Sequence, residues 1–327
     1  MLIKSRKKGL FDAFFLTNFK EKKAHIEIMT EAGSDYNSFF GATTNNINFA
    51  NLSVLGIPRD SASSFRDGAR DAPQYIRYAT SNTLYNPFTE TGRNIQQTWQ
   101  IFDIGDAPIT ELDPLESKKL VFNKIVKHNK YGMRFLFLGG DHLSTYFTFV
   151  SLKKIQDLRM GLIYLDAHPD LYDNYNNDKY SHACVVKRII DETNIEPKAI
   201  FQVGIRASTP EQQEYANNLG ITTITTQDVF SSGAQAIAER IKAALPKKLD
   251  GVYLSIDMDV LDPAFAPGVG NPEPAGLTTR DVLLFLQALQ GINFVAFDVV
   301  ELCPKYDFSS ISSFAAAKLI KEVLGVI

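Results

Sequence analysis

Short apolar runs alternate with longer polar or amphipathic segments from about residue 50 to the end of the chain. Several of these runs are apolar almost throughout, which is typical of β-strands that are buried on both faces of a sheet. They predict strands at Leu52–Ile57, Trp99–Ile104, Arg134–Leu138, Gly161–Leu165, Ile200–Gly204, Ile221–Thr225, Gly251–Ile256 and Phe294–Val299.

The segments between these runs carry the start signals of helices. Asp113 followed by Pro114 places an N-cap residue before a proline at the first helical position. Thr278 with Asp281 resembles a capping box before the leucine-rich stretch Val282–Leu289. Strands and helices that alternate in this way predict an α/β fold, with one parallel sheet and helices on both of its faces.

Residues 1–45 differ from the rest of the chain. They begin with many lysines, and a polar, turn-prone stretch follows at residues 42–46. We interpret residues 1–45 as an appendage that packs on the main domain or on a neighbouring subunit, with a poorly ordered tail as the equal alternative. We expect residues 46–327 to form a single domain. This is the catalytic domain, because it contains the clusters of histidines and carboxylates described below.

Composition and charge narrow the functional classes. The 327 residues carry a formal net charge of -3, which gives no electrostatic reason to expect nucleic acid or a membrane surface as a partner. The basic and then apolar start resembles a signal peptide, but Asp12 interrupts it and no cleavage site follows, so we expect a cytoplasmic protein. The two cysteines, Cys184 and Cys303, lack a disulfide spacing, and we expect them to be small apolar filling rather than redox sites.

Histidines and carboxylates are concentrated directly after four of the predicted strands. The carboxyl ends of parallel strands are where ligands bind in open α/β sheets. The four clusters are Gly139-Gly140-Asp141-His142, Asp166-Ala167-His168-Pro169-Asp170, Ser255-Ile256-Asp257-Met258-Asp259 and Asp298-Val299-Val300-Glu301. One such cluster is often only a turn or a helix cap, but several at one edge of a sheet predict a functional site.

The spacing inside these clusters lets several ligands converge. Residues two apart in an extended segment point to the same side, which is the spacing of Asp166, His168 and Asp170 and of Asp257 and Asp259. Carboxylates this close repel one another unless cations neutralise them. We therefore predict two divalent cations per chain. Mixed carboxylate and imidazole ligation suits Mn²⁺ best, although other divalent transition metals stay open, and such a pair can orient a hydroxide for attack.

Five motifs together carry a family resemblance. They are GGDH at 139–142, DAHPD at 166–170, SHACV at 181–185, SIDMDVLDPAFAPGVGNPEPAGLT at 255–278 and DVVEL at 298–302. This set resembles the ureohydrolase family, which contains arginase, agmatinase, guanidinobutyrase and formiminoglutamase, and it is most similar to agmatinases. The resemblance implies a three-layer αβα sandwich around an eight-stranded parallel sheet, and a homo-oligomer that is usually a trimer or a hexamer.

The resemblance also implies roles for individual side chains. The first metal ion would be held by His142, Asp166, Asp170 and Asp257, and the second by Asp166, His168, Asp257 and Asp259. Asp170 would also pass a proton to the leaving amine, and His182 would carry protons at the mouth of the site. Glu301 matches the carboxylate that pairs with the substrate guanidinium, a planar cation that suits a bidentate carboxylate.

We expect the substrate to be a small cationic guanidinium compound that is hydrolysed to release urea. The loop at residues 171–180 does not resemble the arginase loop, and it offers Asp173 and Asp178 against Lys179. That charge balance favours a cationic tail, so we choose agmatine, which gives putrescine and urea and belongs to polyamine biosynthesis. N1-aminopropylagmatine, 4-guanidinobutyrate, arginine and formiminoglutamate stay open as alternatives.

Two interpretations from other classes also stay open. A catalytically silent scaffold of the same fold predicts lost ligand positions, and none is lost here. A deacetylase on the related fold holds a single Zn²⁺ with fewer ligands, and Glu301 would have no obvious role in it. The number of metal ions bound by each chain separates these interpretations.

Overall fold

The computed structural model describes residues 39–81, 84–109 and 113–327. Each predicted run forms a strand: β1 (Leu52–Gly56), β2 (Ile101–Asp106), β3 (Arg134–Leu138), β4 (Met160–Leu165), β5 (Ile200–Ile205), β6 (Thr222–Thr225), β7 (Gly251–Asp257) and β8 (Phe294–Val300). The largest difference from the prediction is at β2, because Trp99 ends a short helix instead of starting the strand. Its indole Nε1 donates to the Leu324 carbonyl at 2.8 Å.

All of the paired strands are parallel, and their order in the sheet is β2-β1-β3-β8-β7-β4-β5-β6. The strands β7 and β8 therefore lie between β3 and β4, although they come last in the chain. Their registers pair Leu138 with Val299, Val299 with Ile256, and Ile256 with Leu165. The carboxyl ends of the four central strands form one row, and the four predicted clusters continue from it.

Helices connect the strands and lie on both faces of the sheet. They are α1 (Ala72–Ala79), α2 (Ile95–Thr98), α3 (Pro114–His128), α4 (Leu143–Gln156), α5 (Val185–Thr193), α6 (Pro210–Leu219), α7 (Thr226–Ser232), α8 (Ala234–Ala244), α9 (Thr279–Ala288) and α10 (Ile311–Val326). The Asp113 carboxylate caps α3, and Thr278 and Asp281 form a capping box at the start of α9, as predicted. A helix that combines the length and the hydrophobicity needed to cross a bilayer is not found among the described residues.

The core consists of two apolar layers, one on each face of the sheet. Along β3, Phe135 and Phe137 point into one layer, whereas Leu136 and Leu138 point into the other. Residues of α3, α4, α5 and α6 belong to the first layer, and residues of α1, α8, α9 and α10 belong to the second. This is the predicted three-layer αβα sandwich. Because helices cover both faces, the carboxyl edge of the sheet is left to form a site.

The described end of the N-terminal segment packs against the main domain. Phe39 and Phe40 are fully buried and belong to one of the two apolar layers. The Thr43 hydroxyl donates to the Trp99 carbonyl at 3.0 Å. Residues 1–38 lie outside the described part of the chain, so the boundary placed at residue 45 stays a prediction.

Candidate active site

The turn after β3 brings the first predicted ligand to the edge of the sheet. A Cβ atom at Gly140 would lie 1.8 Å from the Arg59 carbonyl oxygen, so only glycine fits this position. The Gly140 carbonyl in turn accepts the backbone N–H of Glu301 at 2.9 Å. These contacts join the ends of β3 and β8, and they place His142 at the start of α4.

Two tight turns bring the paired acidic residues together. The Asp166 carboxylate accepts the backbone N–H of His168 at 2.6 Å, and the Asp257 carboxylate accepts that of Asp259 at 2.7 Å. The ligands thus converge because each aspartate closes a turn after its strand, and not because the strand continues as an extended segment. Asp170 follows with φ of 49°, in the left-handed region that few residues with a Cβ adopt.

The predicted ligands form two triplets whose ligand atoms lie within 4.8 Å of one another, and Asp166 belongs to both. In the first triplet, His142 Nδ1 lies 3.0 Å from Asp166 Oδ2 and 2.9 Å from Asp257 Oδ2. In the second, His168 Nδ1 lies 3.1 Å from Asp259 Oδ2 and 3.5 Å from Asp166 Oδ1. The two oxygens of Asp166 therefore face one triplet each.

Asp170 lies beside the first triplet. Its Oδ2 atom is 3.6 Å from His142 Nδ1 and accepts a hydrogen bond from the Tyr164 hydroxyl at 2.6 Å. Burial, together with the Asp166 carboxylate, raises the pKa of Asp170 to about 7. A carboxyl group with this pKa can exchange a proton near neutral pH.

The crowded carboxylates fit a pair of divalent cations. Burial and the Asp259 and Asp166 carboxylates raise the pKa of Asp257 well above its ordinary value. Burial and Asp166 raise the pKa of Asp259 in the same way. The Oδ2 atom of Asp166 is buried and makes no hydrogen bond to any described residue. Cations would relieve the repulsion and give this oxygen a partner, and the set of carboxylates and imidazoles suits divalent ions.

A buried polar chain supports His142 from behind. His142 Nε2 lies 2.9 Å from the Ser255 hydroxyl, which donates to the Asp298 carboxylate at 2.7 Å. Asp298 also accepts hydrogen bonds from the hydroxyls of Thr145 and Tyr253 at 2.7 and 2.6 Å. Sequence reasoning assigned no role to these residues, although Ser255 and Asp298 each open one of the predicted clusters. Their position in a central strand, where polar side chains are rare, was the available signal.

His182 and Glu301 face one another next to the triplets. His182 Nδ1 lies 2.8 Å from Glu301 Oε1, and the same oxygen accepts the backbone N–H of His142 at 2.8 Å. Burial disfavours the imidazolium, but the Glu301 carboxylate outweighs it and raises the pKa of His182 to about 9. Glu301 has φ of 60°, and its Oε2 atom is buried without a hydrogen bond to the described residues. Strained backbone and an unpaired oxygen at one residue point to a functional role.

A cavity of about 150 Å³ opens above the two triplets. His182 lies in its wall, whereas Glu301 lies behind His182 and is not part of the wall. The other lining residues with polar or aromatic side chains are Ser64, Asp166, His168, Asp170, Tyr172, Tyr175, Gln212, Asp257, Asp259 and Asn271. No lysine or arginine of the described chain lines this cavity.

The loop at residues 171–180 differs from its predicted role. Asp173 lies 2.7 Å from a guanidinium nitrogen of Arg188, and Asp178 closes a turn by accepting the Tyr180 N–H at 2.8 Å. Both aspartates are exposed and do not line the cavity, so the charge balance of this loop does not support a cationic substrate tail, and the alternative of a solvated surface turn fits the structure better. Tyr172 and Tyr175 line the cavity instead, with ring centroids 5.3 Å apart.

The two cysteines are free and buried. Burial raises the pKa of Cys184 to about 12, and it also raises the pKa of the Cys303 thiol. Thiols that stay protonated are poor nucleophiles and poor redox sensors. This environment agrees with the filling role predicted for both.

Comparisons of the sequence and the structure with known proteins identify relatives of this chain. The family model described as the arginase family matches residues 50–325. The mitochondrial arginase of Medicago truncatula is 37% identical over 281 residues, which cover 84% of this chain and 81% of that one. The proclavaminate amidinohydrolase of Streptomyces clavuligerus is 32% identical over 278 residues, covering 83% and 86%. The crystal structure of the agmatine ureohydrolase of Thermoplasma volcanium superimposes with a TM-score of 0.77 at 31% identity, covering 89% of this chain and 94% of that one.

Proposed function

The chain belongs to the arginase family and is therefore a ureohydrolase, and we propose that it hydrolyses agmatine to putrescine and urea. The observation that carries the metal-dependent part of the proposal is the pair of triplets that share Asp166. We assign one cation to His142, Asp166, Asp170 and Asp257, and a second to Asp166, His168, Asp257 and Asp259. We further propose that both are Mn²⁺, since oxygen and imidazole ligands suit this ion.

The two cations, when bound, supply the Lewis acidity that makes water a nucleophile at neutral pH. The side chains around them then have to hold the substrate and move protons. Asp170 lies in the cavity wall beside the first triplet, where its carboxylate could take a proton from water and give it to the leaving amine. His182 then carries the remaining proton from the product to the solvent.

Glu301 is assigned to the substrate guanidinium. Its Oε2 atom is buried and has no hydrogen bond to the described residues, and the backbone of Gly270 approaches it so closely that a Cβ there would lie 3.0 Å away. A guanidinium N–H group can fill this unpaired acceptor. Glu301 Oε1 meanwhile holds His182 at 2.8 Å, so the same carboxylate would orient both the substrate and the proton carrier.

The cavity supports a cationic tail over an anionic one. The carboxylate of 4-guanidinobutyrate or of arginine would find no lysine or arginine among the described lining residues. Tyr172 and Tyr175 instead offer aromatic faces, which attract an ammonium group by about 0.5–1 kcal/mol at an exposed site. Agmatine carries an ammonium group at the end opposite its guanidinium, and it matches this lining.

A substrate panel tests the proposal. The Mn²⁺-loaded protein would be assayed with agmatine, N1-aminopropylagmatine, 4-guanidinobutyrate, arginine and formiminoglutamate, with urea or formamide as the measured product. We expect agmatine to give the highest kcat/KM, at least about tenfold above the anionic substrates, because a pocket that leaves a charge unpaired rejects its ligand by more than 1.4 kcal/mol. A higher kcat/KM with 4-guanidinobutyrate or arginine would refute the choice of agmatine but would leave the ureohydrolase activity in place.

A further inference from the structure

We infer that the Ser64 hydroxyl is the group through which His182 exchanges its proton with the cavity, so that Glu301, His182 and Ser64 form one proton relay. The three side chains are connected through the two ring nitrogens of His182. Glu301 Oε1 lies 2.8 Å from His182 Nδ1, and His182 Nε2 lies 2.8 Å from Ser64 Oγ. The inference rests on the proposed function, because the relay has a task only if His182 carries protons.

His182 lies in the cavity wall, but little of its side chain is exposed, so an intermediary would extend its reach to solvent. Only 6% of the residue is exposed. Its Nδ1 atom faces the buried Glu301, so a proton can reach the cavity only from Nε2. The charged groups that surround His182 are Glu301, Asp170 and Asp141, and all three are carboxylates in the interior. They favour the imidazolium but offer no route to solvent.

The chemistry of the neighbours of Nε2 identifies the intermediary. This nitrogen lies 3.1 Å from the backbone N of Ser64, 2.8 Å from Ser64 Oγ and 3.5 Å from Asn271 Nδ2. A backbone N–H can only donate, and a side-chain amide cannot both accept a proton and release another. A hydroxyl does both. Ser64 is also exposed and lies in the cavity wall, which puts it between His182 and the solvent.

The transfer leaves Ser64 unchanged. The imidazolium donates its Nε2 proton to Ser64 Oγ while the hydroxyl releases its own proton to a water molecule in the cavity. The Nε2–H bond and the original O–H bond of Ser64 break, and a new O–H bond forms on Ser64 and another on the water. The neutral ring can then accept the backbone N–H of Ser64, which keeps the remaining proton on Nδ1 opposite Glu301. Asn271 Nδ2 lies 3.2 Å from Ser64 Oγ and fixes the hydroxyl in this position.

Steady-state kinetics of the Mn²⁺-loaded enzyme test the relay, with the substrate that is most active in the panel. We expect Ser64→Ala to lower kcat by about tenfold or more with KM unchanged, since proton transfer by a positioned group is typically worth about 10²–10⁴-fold. Added imidazole buffer should restore the lost turnover, because it can take the proton in place of the hydroxyl. Ser64→Thr keeps a hydroxyl and should retain most of kcat.

Ser63→Ala is the matched control. Ser63 is the adjacent serine, and its hydroxyl makes no hydrogen bond to the described residues, so its loss should leave kcat unchanged. A wild-type kcat in Ser64→Ala at every imidazole concentration would overturn the relay while leaving the ureohydrolase activity intact. Equal losses in the alanine and threonine variants, without rescue by imidazole, would also overturn it. A wild-type protein that releases no urea from any substrate would overturn the proposed function and the relay with it.

Chemical modification supplies a readout that does not depend on turnover. Diethyl pyrocarbonate reacts with an unprotonated imidazole nitrogen, and mass spectrometry of the peptide that contains His182 measures the rate. Because Ser64 covers Nε2 at 2.8 Å, Ser64→Ala should speed this modification, whereas Ser64→Thr and Ser63→Ala should not. Equal rates in all four proteins would show that Ser64 does not cover His182.

Discussion

The Ser255 hydroxyl lies 2.9 Å from Nε2 of His142, on the side of the ring opposite the two triplets. Ser255 donates its own proton to Asp298, so its oxygen accepts from Nε2–H, and Nδ1 of His142 is the nitrogen that faces the carboxylates and would hold a cation. Partners of this kind hold the ring of a metal ligand in one orientation and one tautomer. The strand positions of Ser255 and Asp298 therefore determine how the first triplet presents its nitrogen.

Removing the Ser255 hydroxyl should weaken metal binding. We expect Ser255→Ala to raise the dissociation constant for Mn²⁺ by about 10–100-fold, the usual cost of losing such a partner. Ser151→Ala is the matched control, because Ser151 is equally buried but its hydroxyl makes no hydrogen bond to the described residues. Competition with a metal-sensitive dye measures both constants. Equal constants in the two variants would show that Ser255 does not position His142.

Metal binding should also depend on pH. Burial and Asp166 raise the pKa of Asp170 from the ordinary range of a carboxyl to about 7, so the metal-free protein holds a proton there up to near neutrality. A cation has to displace that proton together with those held by Asp257, His142 and His168, whose pKa values are also raised, so affinity for Mn²⁺ should rise with pH through neutrality. Titrations at intervals from about pH 5 to about pH 9 would show this curve. An affinity that stays constant over this range would rule out the link to Asp170.

The raised pKa of Asp170 also determines how the stability of the metal-free protein changes with pH. A carboxyl whose folded pKa is raised binds its proton more tightly in the folded state. The metal-free protein should therefore lose stability as pH rises from about 4 to about 7, as burial also raises the pKa of Asp141 to about 6. Thermal unfolding at several pH values checks this direction, and saturating Mn²⁺ should remove the loss. A metal-free melting temperature that increases steadily across this window would contradict it.

A positive charge at the tyrosine wall should change the substrate preference. Tyr175→Arg would place a guanidinium in a lining that contains no described lysine or arginine, so the ratio of kcat/KM for agmatine to that for 4-guanidinobutyrate should fall at least about tenfold. Tyr131→Arg is the control, because Tyr131 is fully exposed and lines a different groove. An unchanged ratio in Tyr175→Arg would exclude this residue from contact with the substrate tail.

The fold and the location of the ligand clusters follow from the sequence because both depend on local pattern. Strands buried on both faces appear as continuous apolar runs, and ligands follow the carboxyl ends of parallel strands. The clusters that contain Asp166 and Asp257 could therefore be located at strand ends, but the resemblance supplied the ligand assignment, and the turns that bring these side chains together were not predicted. The strand order could not be predicted, since pairing β8 with β3 and β7 is a long-range contact that no short motif specifies.

Residues that act through tertiary contacts escaped the sequence analysis. Ser64 and Asn271 lie in loops that are 207 residues apart, and only the folded chain brings them together beside His182. The same limit applies to Asp173, because its carboxylate pairs with Arg188 of the following helix and does not line the cavity. Charge counting within a loop cannot reveal which way each side chain points.

Arg206 should stabilise the turn that carries Asp259. Its guanidinium donates to the carbonyl oxygens of Asp259 and Glu273, each at 2.6 Å, and it is partly buried. Arg206→Met leaves these acceptors unpaired and should cost about 1–3 kcal/mol. Arg159→Met is the control, because the Arg159 side chain is 63% exposed and pairs with Asp250 at the surface. Melting temperatures that fall equally in both variants would exclude a special role for Arg206.

The number of Mn²⁺ ions bound by each folded chain tests the shared position of Asp166 most directly. Equilibrium dialysis followed by metal analysis should give two ions for the wild-type protein, one for His168→Asn and none for Asp166→Ala, because Asp166 belongs to both triplets and His168 to one. His128→Asn, which changes a histidine outside both triplets, should still bind two. A single ion in the wild-type protein, or two ions in Asp166→Ala, would contradict the binuclear site.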